Sequence, residues 1–377
     1  MPPAGSPMAL LGWIVVAYWS LLLLNTLLNL ALMRRVRVAP LAREPFVSIV
    51  VPARDEERAI ERAVRALLAQ NYSAFEVIVV DDRSSDATPS ILASIGDARL
   101  TVVRGEEPPE GWLGKPWALH QGSLRAKGEL LLFVDADIHY TPDALRALVG
   151  EIETRGTAML SVYPRLEMHG VWEHAILLNL TMVGFTILPL WISDRAALTH
   201  FAIGGGTGNL IRRRDYDAIG GHVSLRAAVI DDVGLARLVR ASGRRTELAR
   251  AEDLISVRMY HGLAESVEGF TKNGFITIGR SYAMLTVSIV ALLVFNLLPY
   301  ALATLWPFAL AVVLITMTRV LVCAVLGYAL WAALLLPPLQ AAIWIYIMLR
   351  SAWVTGVRGR VSWRGRTYDA SGTRFGG

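Results

Sequence analysis

The sequence predicts an α/β protein: a doubly wound, mostly parallel sheet domain with transmembrane helices at both ends. Three observations carry that prediction. Residues 8–33 and 282–349 are mostly apolar, short apolar runs alternate with helical periodicity between them, and several of those runs stop at acidic or turn residues. With 54% hydrophobic and only 18% charged residues in 377, the chain is too apolar for an ordinary soluble enzyme, so part of it belongs in lipid. The expected division is an anchor at 8–33, a sheet domain at 45–275, a membrane region at 282–349 and a basic tail at 350–377.

The net charge of +5 is almost wholly arginine, clustered beside apolar segments at Arg34, Arg35 and Arg37 and at Arg350, Arg358, Arg360, Arg364 and Arg366. Positive charge follows the first apolar segment instead of preceding it, which reads as a retained anchor and not as a cleaved signal peptide. The expectation is a multi-pass protein of the inner membrane, with its N-terminus outside and both sheet domain and tail in the cytoplasm. Basic residues are not interleaved with aromatics in the manner of a nucleic-acid surface, so no nucleic-acid partner is expected. Cys323 is the only cysteine, which excludes a disulfide framework and a cysteine-rich zinc site.

The elements follow in order. Residues 47–52 read as a strand, and Ile60, Ala63, Val64, Leu67 and Leu68 then recur at helical spacing. A second strand at 76–80 ends in Asp81-Asp82-Arg83-Ser84-Ser85, a third spans 100–104, a helix spans 116–125, and a fourth strand at 130–134 ends in Asp135-Ala136-Asp137. This βαβα series implies a parallel sheet, whose ligands bind outside the C-terminal strand ends. Asp-X-Asp there offers two hard oxygen ligands to a divalent cation that also holds a diphosphate, although the same tripeptide occurs in surface turns.

Residues 171–192 are long and apolar enough to span, but a crossing would separate Asp135 and Asp137 from Asp231 and Asp232. The prediction is an interfacial helix interrupted near Pro189. The glycine loop at 204–209, with Gly205, Gly206, Thr207 and Gly208, serves either to turn the chain or to bring backbone close to a phosphate or a sugar. Residues 230–239 read as a helix with Asp231 and Asp232 at its start, where carboxylates also act as caps. Beyond Arg280 come apolar segments at 282–303, 306–318 and 326–349; the middle one is short for a span, and the basic tail favours an even number of crossings. His120, His139 and His222 lack metal-site spacing and read as structural, and Trp306, Trp331 and Trp344 as interfacial anchors or bundle packing.

Five motifs in order are specific enough to name a family. Val-Pro-Ala-Arg-Asp-Glu-Glu (51–57), Val-Asp-Asp-Arg-Ser (80–84), Gly-Lys-Pro-Trp-Ala-Leu (114–119), Asp-Ala-Asp (135–137) and Ile-Asp-Asp (230–232) together resemble the family 2 glycosyltransferases, inverting enzymes with the GT-A fold. The stretch Gly-Trp-Leu-Gly-Lys-Pro-Trp-Ala (111–118) is similar to the lipid-glycosylating branch that includes hopanoid-associated and carotenoid-acid glycosyltransferases. The resemblance implies that Pro52, Ala53 and Glu56 hold the nucleoside of a nucleotide-sugar. It implies further that Asp82, beside Asp81, reads the base, usually uracil, and that Lys115 lies near the nucleotide. Asp135 and Asp137 match the pair that binds Mg2+ or Mn2+, with Asp135 also on the donor, and Asp232 matches the general base.

Two departures refine this. The family form Glu-Asp is Asp-Asp here, so Asp231 is either part of the acceptor or phosphate loop region or only a cap. Processive members carry Gln-X-X-Arg-Trp, where this chain has Glu-Gly-Phe-Thr-Lys-Asn at 268–273, with Lys272 left to supply charge to the diphosphate. The missing tryptophan favours one sugar added to a lipid acceptor hydroxyl at the bilayer surface, from a UDP-sugar in the first instance. A processive polysaccharide synthase, a polyprenyl-phosphate glycosyltransferase and a non-catalytic membrane scaffold remain as alternatives. The aromatic, basic stretch 363–368 leaves two readings open, an ordinary solvated tail or a segment that returns to the membrane face and helps cover the nucleotide site.

Overall fold

A computed structural model describes residues 6–193, 202–357, 360–363 and 366–369. The central sheet has seven strands: β1 (Val47–Ala53), β2 (Phe75–Asp81), β3 (Leu100–Arg104), β4 (Leu130–Phe133), β6 (Met159–Tyr163), β8 (Asn209–Arg212) and β9 (Thr246–Arg250), in the order β3-β2-β1-β4-β8-β6-β9. β3, β2, β1 and β4 are parallel, as the βαβα series predicts; β8 runs antiparallel to both β4 and β6. A small second sheet joins β5 (Ile138–Tyr140), β10 (Ile255–Val257) and β7 (Arg165–Leu166). In the parallel half β1, β2 and β4 are buried on both faces because helices cover them, one being Ile60–Leu68 with its apolar face inward, while the edge strand β3 is largely exposed.

Among the described residues four helices are long and apolar enough to cross a bilayer: Pro7–Leu32, Gly170–Ile187, Tyr282–Ala301 and Trp306–Leu326. Strand pairing decides the second. β6 precedes Gly170–Ile187 and β8 follows it, yet the two strands are hydrogen-bonded neighbours, so this segment does not make a single crossing. It consists of the helix Gly170–Met182 and a π-helical turn, Val183–Ile187, which ends beside Pro189 where the sequence places the interruption. The carbonyls freed there need donors. Asn25 and Asn29 of the first apolar helix supply them, reaching Thr186 O (2.9 Å), Phe185 O (2.8 Å) and Leu188 O (2.8 Å).

After Tyr282–Ala301 and Trp306–Leu326 the chain returns to the sheet domain: Arg165 donates to Gly327 O (2.9 Å), and Leu166 N to the Tyr328 hydroxyl (3.1 Å). Two expectations need correction. The middle segment, expected at 306–318, is a 21-residue helix, because Arg319 is buried among helices (3% exposed) and does not end it. The segment expected at 326–349 is not one unit: it breaks before Pro337 into Leu330–Leu335 and Pro337–Ser351. Pro337–Ser351 packs against Gly170–Met182 and the helix Gly262–Thr277, with Gln340 and Trp344 donating to His174 O and Ile176 O. The first apolar helix runs directly into the sheet edge, where Arg250 N donates to Arg34 O (2.7 Å) and Val36 N to Arg250 O (2.8 Å). In the tail, Arg360–Trp363 and Arg366–Asp369 pair as an antiparallel hairpin; the cover that one reading gives to 363–368 rests on side chains outside the described residues.

Candidate active site

The C-terminal ends of β1 and β2 are interlocked. Asp82 N donates to Ala53 O (2.7 Å), Ser85 N to Asp55 Oδ1 (2.7 Å), Glu56 N to Thr88 Oγ1 (2.8 Å) and Ser84 N to Asp81 Oδ1 (3.1 Å). Asp55 and Arg83 both have positive φ, 51° and 57°, a conformation that costs energy for residues other than glycine. Such strain, held by a dense hydrogen-bond network at strand ends, is characteristic of binding loops.

Beside these loops opens a cleft of about 640 Å³. Of the residues singled out from the sequence, it brings together Pro52, Glu56, Lys115, Asp135, Asp137, Gly206, Thr207, Asp231, Asp232 and Lys272. Ala53, Asp81, Asp82, Gly205 and Gly208 do not line it. Asp82 lies beneath the wall, its carboxylate 3.9 Å from the Arg54 guanidinium and 3.9 Å from that of Arg83, and Arg54 stands in the cleft wall instead. A smaller concavity of about 370 Å³ elsewhere is lined by Arg43, Arg212 and Arg213, whose guanidinium groups are bonded to Glu129, Glu153 and backbone carbonyls; it offers no comparable chemistry.

The glycine loop holds the carboxylates in place. Asp135 N donates to Gly206 O (2.8 Å), and a side chain at 206 would collide with the Asp135 carboxylate. On its other side, a side chain at 204 would collide with the carbonyl of Asp232, to which Asn209 Nδ2 donates (3.3 Å). The close backbone approach expected of this loop is therefore made to the protein's own acidic residues. Thr207 Oγ1 is committed to Val162 O (2.8 Å), and Gly208, at φ 153°, packs on Tyr140.

Lys115 Nζ lies 2.7 Å from Asp135 Oδ1 and 3.5 Å from Asp231 Oδ1. Burial alone would lower its pKa, but attraction to Asp135, Asp231 and Asp232 outweighs burial and raises it well above the usual lysine value. The same crowding acts on the acids. Burial pushes Asp231 up to about 7, opposed by Lys115 and reinforced by Asp232 and Asp135. Asp232 is also raised, first by burial, while Lys115 and the N–H of Val233, 2.7 Å from Oδ1, pull it down. Asp231 is buried and Asp232 only half so, which leaves Asp232 the more accessible carboxylate. His222 is structural, as expected: it hydrogen-bonds the Tyr216 hydroxyl (2.8 Å), and burial, then the charge of Lys115, push its pKa down to about 3.

Asp135 and Asp137 both line the cleft with hard oxygens, and the Lys115 ammonium marks the place as one that stabilises positive charge, so the pair suits a divalent cation. Among the described residues no group of three or more His, Cys, Asp or Glu is placed to hold a metal. Asp135 and Asp137 would hold such a cation, with the rest of its oxygen ligands supplied by a bound diphosphate or by water.

The opposite wall escaped the sequence reading. Leu180 comes from Gly170–Met182, Val257 and Met259 from β10 and beyond, Tyr260 from the following loop, and Glu265, Glu268 and Phe270 from Gly262–Thr277. Gly269 allows Tyr260 to lie against the helix, with the Tyr260 and Phe270 rings 5.3 Å apart. The one available signal was the short stretch 268–273, noted for the motif it lacks and for Lys272, but not for an acceptor wall.

Residues 48–220 match the family model for glycosyl transferase family 2. The chain is 29% identical over 232 residues to the 4,4'-diaponeurosporenoate glycosyltransferase of Staphylococcus aureus strain MRSA252 and 28% identical to that of strain USA300, in each case over 60% of either chain. The match thus spans less than two thirds of these relatives. Among solved structures, a mannosyltransferase from Pyrobaculum calidifontis, in complex with GDP-Man and Mn2+, aligns over 92% of this chain and 99% of its own with a TM-score of 0.50 at 19% identity. That likeness establishes the fold as GT-A.

Proposed function

Because the chain carries a glycosyl transferase family 2 domain in a GT-A fold, we propose that it is a membrane-bound, inverting glycosyltransferase. It moves a single sugar from a nucleotide-sugar, a UDP-sugar in the first instance, to the hydroxyl of a lipid acceptor. The observation that carries this reading is the two-faced cleft. Asp135, Asp137, Lys115 and Asp232 stand on one side at the strand ends, while Leu180, Met259 and Phe270 on the other come from elements packed beside the apolar helices. A nucleotide-sugar suits the first face, and an apolar chain ending in a nucleophile suits the second.

In this reading Pro52, Arg54 and Glu56 form the floor under the nucleoside, and the pinned Asp81 and Asp82 fix the shape of that floor. Asp232 accepts the proton of the acceptor hydroxyl as the oxygen attacks the anomeric carbon from the face opposite the diphosphate. Asp231, behind it, is pushed up to about 7 by burial and is only partly ionised at neutral pH, so the proton-accepting role falls to the more accessible Asp232. Lys115 and Lys272 stabilise the charge that grows on the departing nucleoside diphosphate. Asp135 and Asp137 would hold Mg2+ or Mn2+, which supplies further charge neutralisation to that leaving group.

The name of the Staphylococcus aureus relatives supports a second reading, in which the acceptor is an apolar chain ending in a carboxylate. A carboxylate is already ionised at neutral pH and needs no base. The experiment is nucleotide release and product analysis with purified, detergent-solubilised protein, UDP- and GDP-sugars, Mn2+ or Mg2+, and either long-chain alcohols or long-chain carboxylic acids. Transfer to alcohols that collapses in Asp232→Asn supports the first reading. Transfer to carboxylic acids that survives in Asp232→Asn supports the second, and no nucleotide release with any donor removes both.

A further inference from the structure

Resting on that reading and deepening it, we propose that Lys115 is a resident counter-ion that occupies Asp135 until the donor arrives, so that divalent cation and nucleotide bind cooperatively. The ammonium lies 2.7 Å from Asp135 Oδ1 and within 3.5 Å of Asp231. On the other side of the Asp135 carboxylate the backbone of Gly206 is close enough that a side chain would collide with it. Asp135 is thus held between a cation and a loop, and the three acids of this corner share one lysine.

A divalent cation at Asp135 and Asp137 meets an ammonium already in contact with one of its ligands, and like charges at such range repel strongly in a partly buried site. Lys115 therefore has to leave Asp135 for the cation to bind well. Leaving is unfavourable while the nearest alternative is Asp231, buried and 3.5 Å away; a nucleoside diphosphate offers a more highly charged partner in the cleft. The flexible four-carbon stem of lysine permits the transfer, whereas an arginine fork would stay bidentate on a carboxylate. That distinction accounts for a lysine at 115 in a chain with only three lysines among 37 basic residues.

The test is a Mn2+ titration of the full-length, detergent-solubilised protein, read by the electron paramagnetic resonance of free Mn2+, with and without UDP or GDP. Wild type should bind Mn2+ about tenfold or more tightly when nucleotide is present. Lys115→Gln should bind Mn2+ about tenfold more tightly than wild type without nucleotide, and nucleotide should no longer tighten it. Lys115→Arg, which keeps the charge, should bind free Mn2+ as weakly as wild type. A Lys115→Gln protein that melts like wild type but binds Mn2+ no more tightly, or retains the full nucleotide effect, overturns the proposal. Failure of wild type and both variants to bind Mn2+ with either nucleotide overturns the transferase reading itself, and the counter-ion role with it.

Discussion

The two walls of the cleft are built on opposite principles. The strand-end wall is polar and heavily bonded: Asp55, Ser84, Ser85 and Thr88 tie the β1 and β2 loops together, and two residues there are held at positive φ. The facing wall is made of helix and loop surfaces that present Leu180, Val257, Met259 and Phe270 together with Glu265 and Glu268, and Phe270 packs between Tyr260 and Trp344 at ring separations of 5.3 and 5.0 Å. A wall fixed by hydrogen bonds discriminates strongly, because an analogue that leaves a buried polar group unpaired is penalised. A wall that offers mainly apolar area discriminates by about 1–3 kcal/mol per methylene group at most. The comparison implies strict choice of donor and tolerant choice of acceptor.

The sharpest way to break that comparison lies on the polar side. Asp137→Ala should lower transfer by about 10²–10⁴-fold by removing one anionic ligand of the cation, with calorimetry showing weakened Mn2+-dependent nucleotide binding. Next comes Gly206→Val, which drives a branched side chain into Asp135; activity should fall about 10²-fold while the melting temperature of the apolar helices changes little. Wild-type-like activity in this variant would show that the glycine loop does not hold the carboxylate. On the apolar side the effects should be smaller and confined to the acceptor. Phe270→Ala should raise KM for a long-chain acceptor about tenfold and leave donor KM unchanged. Changes in both constants would mean that the two walls do not act separately.

The smallest effect expected is on pH dependence, and its sign follows from the acids. Burial raises the pKa of Asp232, so a larger fraction of it is protonated in mildly acidic solution than for an ordinary carboxyl. If it acts as a base, the rate with a hydroxyl acceptor rises with pH through that raised value, giving an acidic limb above the usual carboxylate range. A carboxylate acceptor should show no such limb from Asp232.

The polar wall was far more legible in the sequence than the apolar one, for a physical reason. Strands β1, β2 and β4 are short buried runs that stop at polar or turn residues, so pattern and cleft coincide at Pro52 and Asp135, with Asp81 and Asp82 just beneath. The two- and three-residue strands β5, β7 and β10 carry too few residues to show a period, yet β10 leads into Met259 at the cleft. Arg319 misled because a charge normally ends an apolar run; here it is buried between helices. The segment 326–349 looks continuous because it is apolar throughout, whereas proline at the start of a helix is favourable, and Pro337–Ser351 begins there as a separate element. The side of Asp82 that faces Arg54 and Arg83 also depends on tertiary placement, which no local pattern encodes.

The measurement that bears most directly on the central claim compares donor binding with transfer in Asp232→Asn, using one detergent preparation, a UDP-sugar, Mn2+ and a long-chain alcohol. The account predicts nucleotide-sugar affinity within about threefold of wild type and a transfer rate lower by about 10²–10⁴-fold. Transfer to the alcohol at the wild-type rate would contradict it, since the proton of the attacking hydroxyl would then leave without Asp232.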